Sequence, residues 1–223
     1  MSTFVKTICC MLALAAGAVG SSACAEAQNG PEEQPAQEKV LMIGDSLFDL
    51  WKPTCNADLE GAENLTNIAV GGTTSNYWVN SIKLVTVQEP SDIVISIGTN
   101  NIADLHQTGR EAAEGEKGIQ ELLEVLHENC PDAHIYLLTV NICGETIRWN
   151  NREEIRTCNR LMREYCAQLD WAEIVETETA FYNDTNYEEK PAAEYFVADH
   201  LHFSAKGYQV LTGIVRAALG LDA

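Results

Sequence analysis

Five short apolar runs constrain this chain more than any other feature: Val40–Ile43, Leu65–Val70, Ile93–Ile97, Ile135–Val140 and Ile174–Thr177. They are rich in β-branched residues and mostly lack polar alternation, as strands covered on both faces of a parallel sheet do. Helical spacing fills the intervals. Ile119, Leu122, Leu123 and Leu126 share one helix face, and Pro131 closes that segment. Ile155, Cys158, Met162 and Cys166, then Leu169, form a second stripe. Ser204 is placed to cap a last helix with Leu211, Ile214, Val215 and Leu219 on one side. This alternation predicts an α/β fold, a three-layer α/β/α sandwich around a five-stranded parallel sheet.

The chain has 223 residues, enough for one such domain and short for two. Residues 1–25 read as a signal peptide. Lys6 precedes an apolar run from Ile8 to Val19, and Ala23-Cys24-Ala25 and Ala25-Glu26-Ala27 offer small-x-small cleavage sites. The run is too short to span a bilayer. Export to a secreted or periplasmic location is therefore expected. A lipid anchor on Cys24 ranks second, because Ser21 stands where such sites carry a large aliphatic residue. Residues 26–38 are polar, contain Pro31 and Pro35, and read as a flexible linker; residues 39–223 form the predicted catalytic domain.

A formal net charge of −19 disfavours nucleic acid and anionic membrane surfaces as partners. Cys55, Cys130, Cys143, Cys158 and Cys166 fall in the domain, with no C-x-x-C pair to suggest a structural zinc. Cys158 and Cys166 stand ~12 Å apart on one helix, too far to bridge each other. A wound sheet can bring Cys130 near Cys166, and Cys55 near Cys143, as disulfides; the other reading is five buried apolar side chains.

Open parallel sheets bind ligands at the carboxyl ends of their strands. Gly44-Asp45-Ser46-Leu47 follows the first predicted strand, Gly71-Gly72-Thr73-Thr74 the second and Gly98-Thr99-Asn100-Asn101 the third, and Asp199-His200-Leu201-His202 precedes the last helix. Ser46 on a turn at a strand end can be a nucleophile if a base lies beside it. His202 can be that base, with Asp199 three residues earlier orienting its ring. In Asp199-His200 the adjacent side chains diverge, so His202 rather than His200 is expected in the role. Gly72 lets a backbone N–H approach a developing oxyanion, and Asn100 offers a side-chain N–H. Each segment alone also reads as a turn, a tight loop or a helix cap.

Taken together and in order, the four segments resemble the four sequence blocks of the GDSL, or SGNH, hydrolase family, across roughly residues 39 to 220. The resemblance implies an SGNH-hydrolase-like (flavodoxin-like) fold and ester hydrolysis through a covalent acyl-enzyme without a cofactor. By that resemblance Ser46 matches the nucleophile and Asp199 and His202 its partners. Gly72, Asn100 and the Ser46 N–H match the oxyanion donors. Gly72 is preferred to Gly71 because Thr73-Thr74 matches the family's usual polar pair. The third block commonly reads G-x-N-D, and here Asn101 replaces the acid.

The expected substrate is a small-molecule or glycan ester, with a small acyl group, best an acetyl. A lysophospholipid-like or short-chain lipid ester is the alternative. Trp51, Tyr77, Trp78 and Trp149 fall near the presumed active edge, where they can stack on sugar rings or serve as packing. Two rivals are a metal-dependent hydrolase built on Asp199, His200 and His202, and a non-catalytic glycan-binding module on the same fold. For the first, the remaining histidines are His106 and the pair His127 and His134, the latter two on a helix end and a strand start far from the active edge, so a complete ligand set is hard to assemble. For the second, no residue of the Ser-His-Asp set is lost.

Overall fold

The strands form where β-branched residues can be buried on both sides. The computed structural model describes residues 38–108, 112–183 and 187–221. The predicted signal peptide, nearly all of the linker and Cys24 lie outside them. β1 (Val40–Gly44) is buried along its whole length. It pairs in parallel with β2 (Thr66–Asn67) on one side and β3 (Asp92–Ser96) on the other. β4 (His134–Leu138) and β5 (Ala172–Val175) continue the sheet in parallel register. The order is β2-β1-β3-β4-β5, the five-stranded parallel arrangement expected of a flavodoxin-like sandwich.

Regular pairing in β2 is shorter than the apolar run from Leu65 to Val70. The run still follows β1, because the N–H groups of Ile68 and Val70 donate to the carbonyls of Met42 and Gly44, both at 3.0 Å. As an edge strand it has a partner on one side only.

Side chains alternate across the sheet and build two cores. Leu41, Ile43, Ile93, Ile95, Ile135 and Leu137 face one side. There they meet α3 (Ser75–Asn80), α4 (Ile82–Thr86), α6 (Ala112–Asn129) and α8 (Arg152–Cys166). Val40, Met42, Val94, Leu138 and Val175 face the other, where α1 (Ser46–Asp49), α2 (Cys55–Asp58) and α9 (Ala205–Ala218) pack. α5 (Thr99–Thr108) follows β3, and α7 (Thr146–Asn150) precedes α8. The caps are local. The Ser204 hydroxyl accepts the Gly207 N–H at 3.2 Å to start α9, and the Glu145 carboxylate accepts those of Ile147 and Arg148 to start α7.

The five domain cysteines are free and buried, so neither expected disulfide forms. Cys130, Cys158 and Cys166 are members of one core and Cys55 and Cys143 of the other, and each fills space as a small apolar side chain. Burial raises their thiols, Cys143 and Cys166 to about 11 and Cys158 to about 12. Protonated thiols of this kind are inert.

Candidate active site

The sheet order reverses direction between β1 and β3, so the loops leaving these strands diverge and open a crevice. Ser46 enters that crevice from β1. Gly44 has φ +151, and a Cβ there would stand 2.1 Å from the Ser96 carbonyl oxygen; only glycine permits this approach of β1 to β3. Asp45 then caps α1 by accepting the Leu47 N–H at 3.0 Å, which makes Ser46 the first helical residue. From the far side the Tyr208 hydroxyl donates to the Leu47 carbonyl at 3.0 Å, with its ring stacked on Trp51.

The loop before α9 supplies the histidine. Asp199 Oδ1 accepts the N–H groups of Leu201 and His202, at 2.9 and 3.0 Å, which curls the segment back on itself. Oδ2 then meets His202 Nδ1 at 2.7 Å, while Nε2 lies 2.9 Å from Ser46 Oγ. Burial acts to raise the Asp199 carboxyl, but the His202 ring and the two backbone donors outweigh it and hold it at about 2. An ionised carboxylate only accepts, so Nδ1 carries the ring proton and Nε2 presents its lone pair to the serine hydroxyl. Adjacent His200 has φ +59 and is exposed; its ring makes no hydrogen bond among the described residues.

Two further loops face Ser46. A Cβ on Gly71 would lie 3.7 Å from that of Ser46, so the turn after β2 sits against the serine. The Gly71 N–H is committed to Asp49 Oδ2 at 3.1 Å. Gly72, at φ +76, keeps its N–H without an acceptor among the described residues, as does Ser46. Asn100 enters from β3. Its Nδ2 donates to the Thr73 carbonyl at 3.0 Å, which leaves one amide hydrogen unassigned, and its Oδ1 accepts from Arg148 at 3.3 Å. Asn101 performs a local task of its own. Its Oδ1 accepts the Ser75 N–H and its Nδ2 donates to the Ser75 hydroxyl, which ties the start of α5 to α3.

With these loops in place, the model of the GDSL-like lipase/acylhydrolase family matches residues 42–210. The chain belongs to the GDSL-like lipase/acylhydrolase family. This GDSL hydrolase is a serine ester hydrolase in class, and it shares its fold with distant solved structures. A GDSL-like lipase from Bacteroides thetaiotaomicron superposes with TM-score 0.67 at 17% identity, over 83% of this chain and 89% of that one. An acetyl xylan esterase gives 0.65 at 16% identity, over 81% and 98%. The catalytic domain of a Streptococcus pneumoniae peptidoglycan O-acetyltransferase, solved with a methylsulfonyl adduct, gives 0.57 at 18%, over 82% and 93%. No curated protein matches the chain in sequence.

The structure thus brings Ser46, Asp199, His202, Gly72 and Asn100 to one edge of the sheet. Of the four aromatic candidates, Trp51 and Trp78 are fully buried packing residues. Trp51 donates to Asp58 at 2.7 Å. Tyr77 is exposed, and Trp149 is half-buried with the Arg152 guanidinium 4.6 Å over its ring. No group of three or more His, Cys, Asp or Glu among the described residues is arranged to hold a metal ion. Two contributors carry no sequence signal of their role: Tyr208 beneath α1 and Arg148 on Asn100. Both act over sequence separations that no local motif spans.

Proposed function

We propose that this GDSL hydrolase cleaves small acyl esters, best acetyl esters on neutral glycans, through an acyl-enzyme on Ser46. The observation that carries this reading is the unbroken line Asp199 Oδ2–His202–Ser46 Oγ, with links of 2.7 and 2.9 Å. Nε2 takes the hydroxyl proton as Oγ attacks the ester carbonyl, and Asp199 stabilises the imidazolium that forms. The N–H groups of Ser46 and Gly72 and the Asn100 amide receive the oxyanion. Imidazolium then protonates the leaving alcohol. Water repeats the sequence on the acyl-enzyme, giving the acid and free Ser46. The acetyl xylan esterase and O-acetyltransferase among the structural neighbours support an acetyl group and a glycan. The leader in residues 1–25 supports an exported enzyme that meets such a substrate outside the cytoplasm.

One observation favours short-chain lipid esters as a second reading. Leu50, Val70 and Val197 are exposed, at 53%, 36% and 44%. Each is anchored beside the site, through backbone bonds to Ser46, Gly44 and His202. Turnover of p-nitrophenyl acetate, butyrate and octanoate and of acetylated xylan separates the two. Preference for acetyl and release of acetate from the glycan is expected; preference for octanoate overturns the acetyl assignment. A sulfonyl fluoride should add one equivalent to the protein at Ser46, read by peptide mass, and none to Ser46→Ala. Labelling elsewhere with retained Ser46→Ala turnover removes Ser46 as nucleophile.

A further inference from the structure

We infer that Arg148 is a positioning residue for the oxyanion donor Asn100, an inference that rests on the role proposed above for that amide. A carboxamide at the end of a short side chain rotates in a broad two-fold well, and its two faces are nearly alike in shape. Left free, it presents oxygen to an oxyanion as readily as nitrogen, and oxygen repels the charge it should receive. Asn100 is held against that rotation from both ends. On one side stands the Thr73 carbonyl, which can only accept, 3.0 Å from Nδ2. On the other stands the Arg148 guanidinium, which can only donate, 3.3 Å from Oδ1. The pair admits one orientation, with the second Nδ2 hydrogen available to the crevice that Ser46 enters.

Arg148 is itself fixed. Its side chain is 14% exposed and bonds Glu145 Oε2 at 3.1 Å through its other terminal nitrogen. Glu145 caps the helix that carries Arg148, and its own backbone N–H donates to the His200 carbonyl at 3.0 Å. Burial acts to raise the Glu145 carboxyl, but its backbone and guanidinium bonds outweigh that and lower it, so it stays ionised beside the arginine. The chain His200–Glu145–Arg148–Asn100 therefore couples the loop that bears the base to the loop that bears the oxyanion donor. The Arg148 side chain reaches Asn100 across 48 positions of sequence.

The test is a double-mutant cycle on p-nitrophenyl acetate hydrolysis, with thermal melting to verify folding. Wild type, Asn100→Ala, Arg148→Met, Arg148→Lys and Arg148→Met/Asn100→Ala are compared. Arg148→Met should lower kcat about tenfold, a part of the 10²–10³ carried by a whole oxyanion donor, with KM within about twofold. Arg148→Lys should recover part of that loss, because an ammonium can donate to Oδ1 without spanning to Glu145. In the Asn100→Ala background Arg148→Met should cost nothing further. An equal loss in both backgrounds overturns the inference, since Arg148 would then act without Asn100. A change confined to KM overturns it too, by making Arg148 a substrate contact. Near-wild-type kcat in Asn100→Ala overturns the oxyanion reading itself, a separate result. Should Arg148→Met fail to fold, Arg148→Ala, which also removes the donor to Asn100, runs the same cycle and the same outcomes decide.

Discussion

His202 and His200 are two positions apart, and the loop gives them opposite surroundings. Both ring nitrogens of His202 are engaged, one by Asp199 and one by Ser46. Among the described residues His200 bonds through its backbone alone, which receives Glu145 and donates to Val197. His202→Ala should therefore cost about 10³-fold or more in kcat, and His200→Ala less than about tenfold. A dead His200→Ala beside an active His202→Ala would reverse the assignment. Asp45 makes a different prediction. Burial lifts its carboxyl from 3.8 to about 7, against the Leu47 hydrogen bond and the nearby His202 and Arg148, and its Oδ2 has no hydrogen-bond partner among the described residues. Between these two values the folded chain holds a proton that the unfolded chain has released. Stability from this group is thus full below about pH 4 and falls as pH rises through 7, by roughly a few kcal/mol. Asp199 runs the other way, losing its contribution as pH falls toward 2, and its exposure keeps that effect small. Asp45→Asn retains an acceptor for Leu47 and removes the titration. Its melting temperature should gain on wild type steadily from pH 4 to 7; parallel curves would show that Asp45 does not carry the shift.

At the scale of elements, β1 and its turn do the most to place the chemistry. A Cβ at Gly44 would collide with a backbone atom of β3, which cannot swing aside as a side chain can. Gly44→Ala should cost about 3 kcal/mol or more of stability, and lower activity in whatever fraction folds, because Ser46 lies two residues on. A denaturant midpoint within error of wild type would show that β1 and β3 can separate without cost. The central strands were readable in the sequence because Ile93, Ile95, Ile135 and Leu137 need cover on one face and Val94 and Leu138 on the other, and only a sandwiched sheet supplies both. The helix stripe Ile155-Cys158-Met162-Cys166 was readable for the same reason, all four being buried in α8. The edge strand was overdrawn, since hydrophobicity continues past Asn67 while regular pairing does not. The four blocks of the site were legible as types of residue at strand ends. Gly71 and Gly72 were separable only by resemblance until the Asp49 bond to Gly71 left Gly72 as the free donor. Arg148 and Tyr208 were not legible at all: nothing in Thr-Ile-Arg-Trp-Asn or Gly-Tyr-Gln announces a partner 48 or 161 positions away.

Over the whole molecule the electrostatics are lopsided, with 33 acidic against 14 basic side chains. Some of the basic groups sit close to the site and are spoken for: Arg148 by Glu145 and Asn100, Lys190 by the Gly144 carbonyl. A polymeric substrate approaching from solvent therefore meets a net negative field before it meets any local cation. That field reaches about 30 Å at 0.01 M salt and about 3 Å at 1 M. A neutral acetylated glycan is indifferent to it, whereas an acetylated polyuronate must work against it on every encounter. At low salt kcat/KM should favour the neutral polymer over the polyanion by about tenfold or more, within the range that charge gives to association rates. Added salt should raise the rate on the polyanion and leave that on the neutral glycan nearly flat, so that the two converge. The difference should reside in kcat/KM and vanish from kcat, because the chemistry at Ser46 is the same once the ester is seated. Acetate release measured from acetylated xylan and acetylated pectin between 10 mM and 1 M salt decides the matter. Faster turnover of the pectin at low salt would mean that Arg148 and Arg152 govern capture over the net charge, and that the natural substrate carries carboxylates.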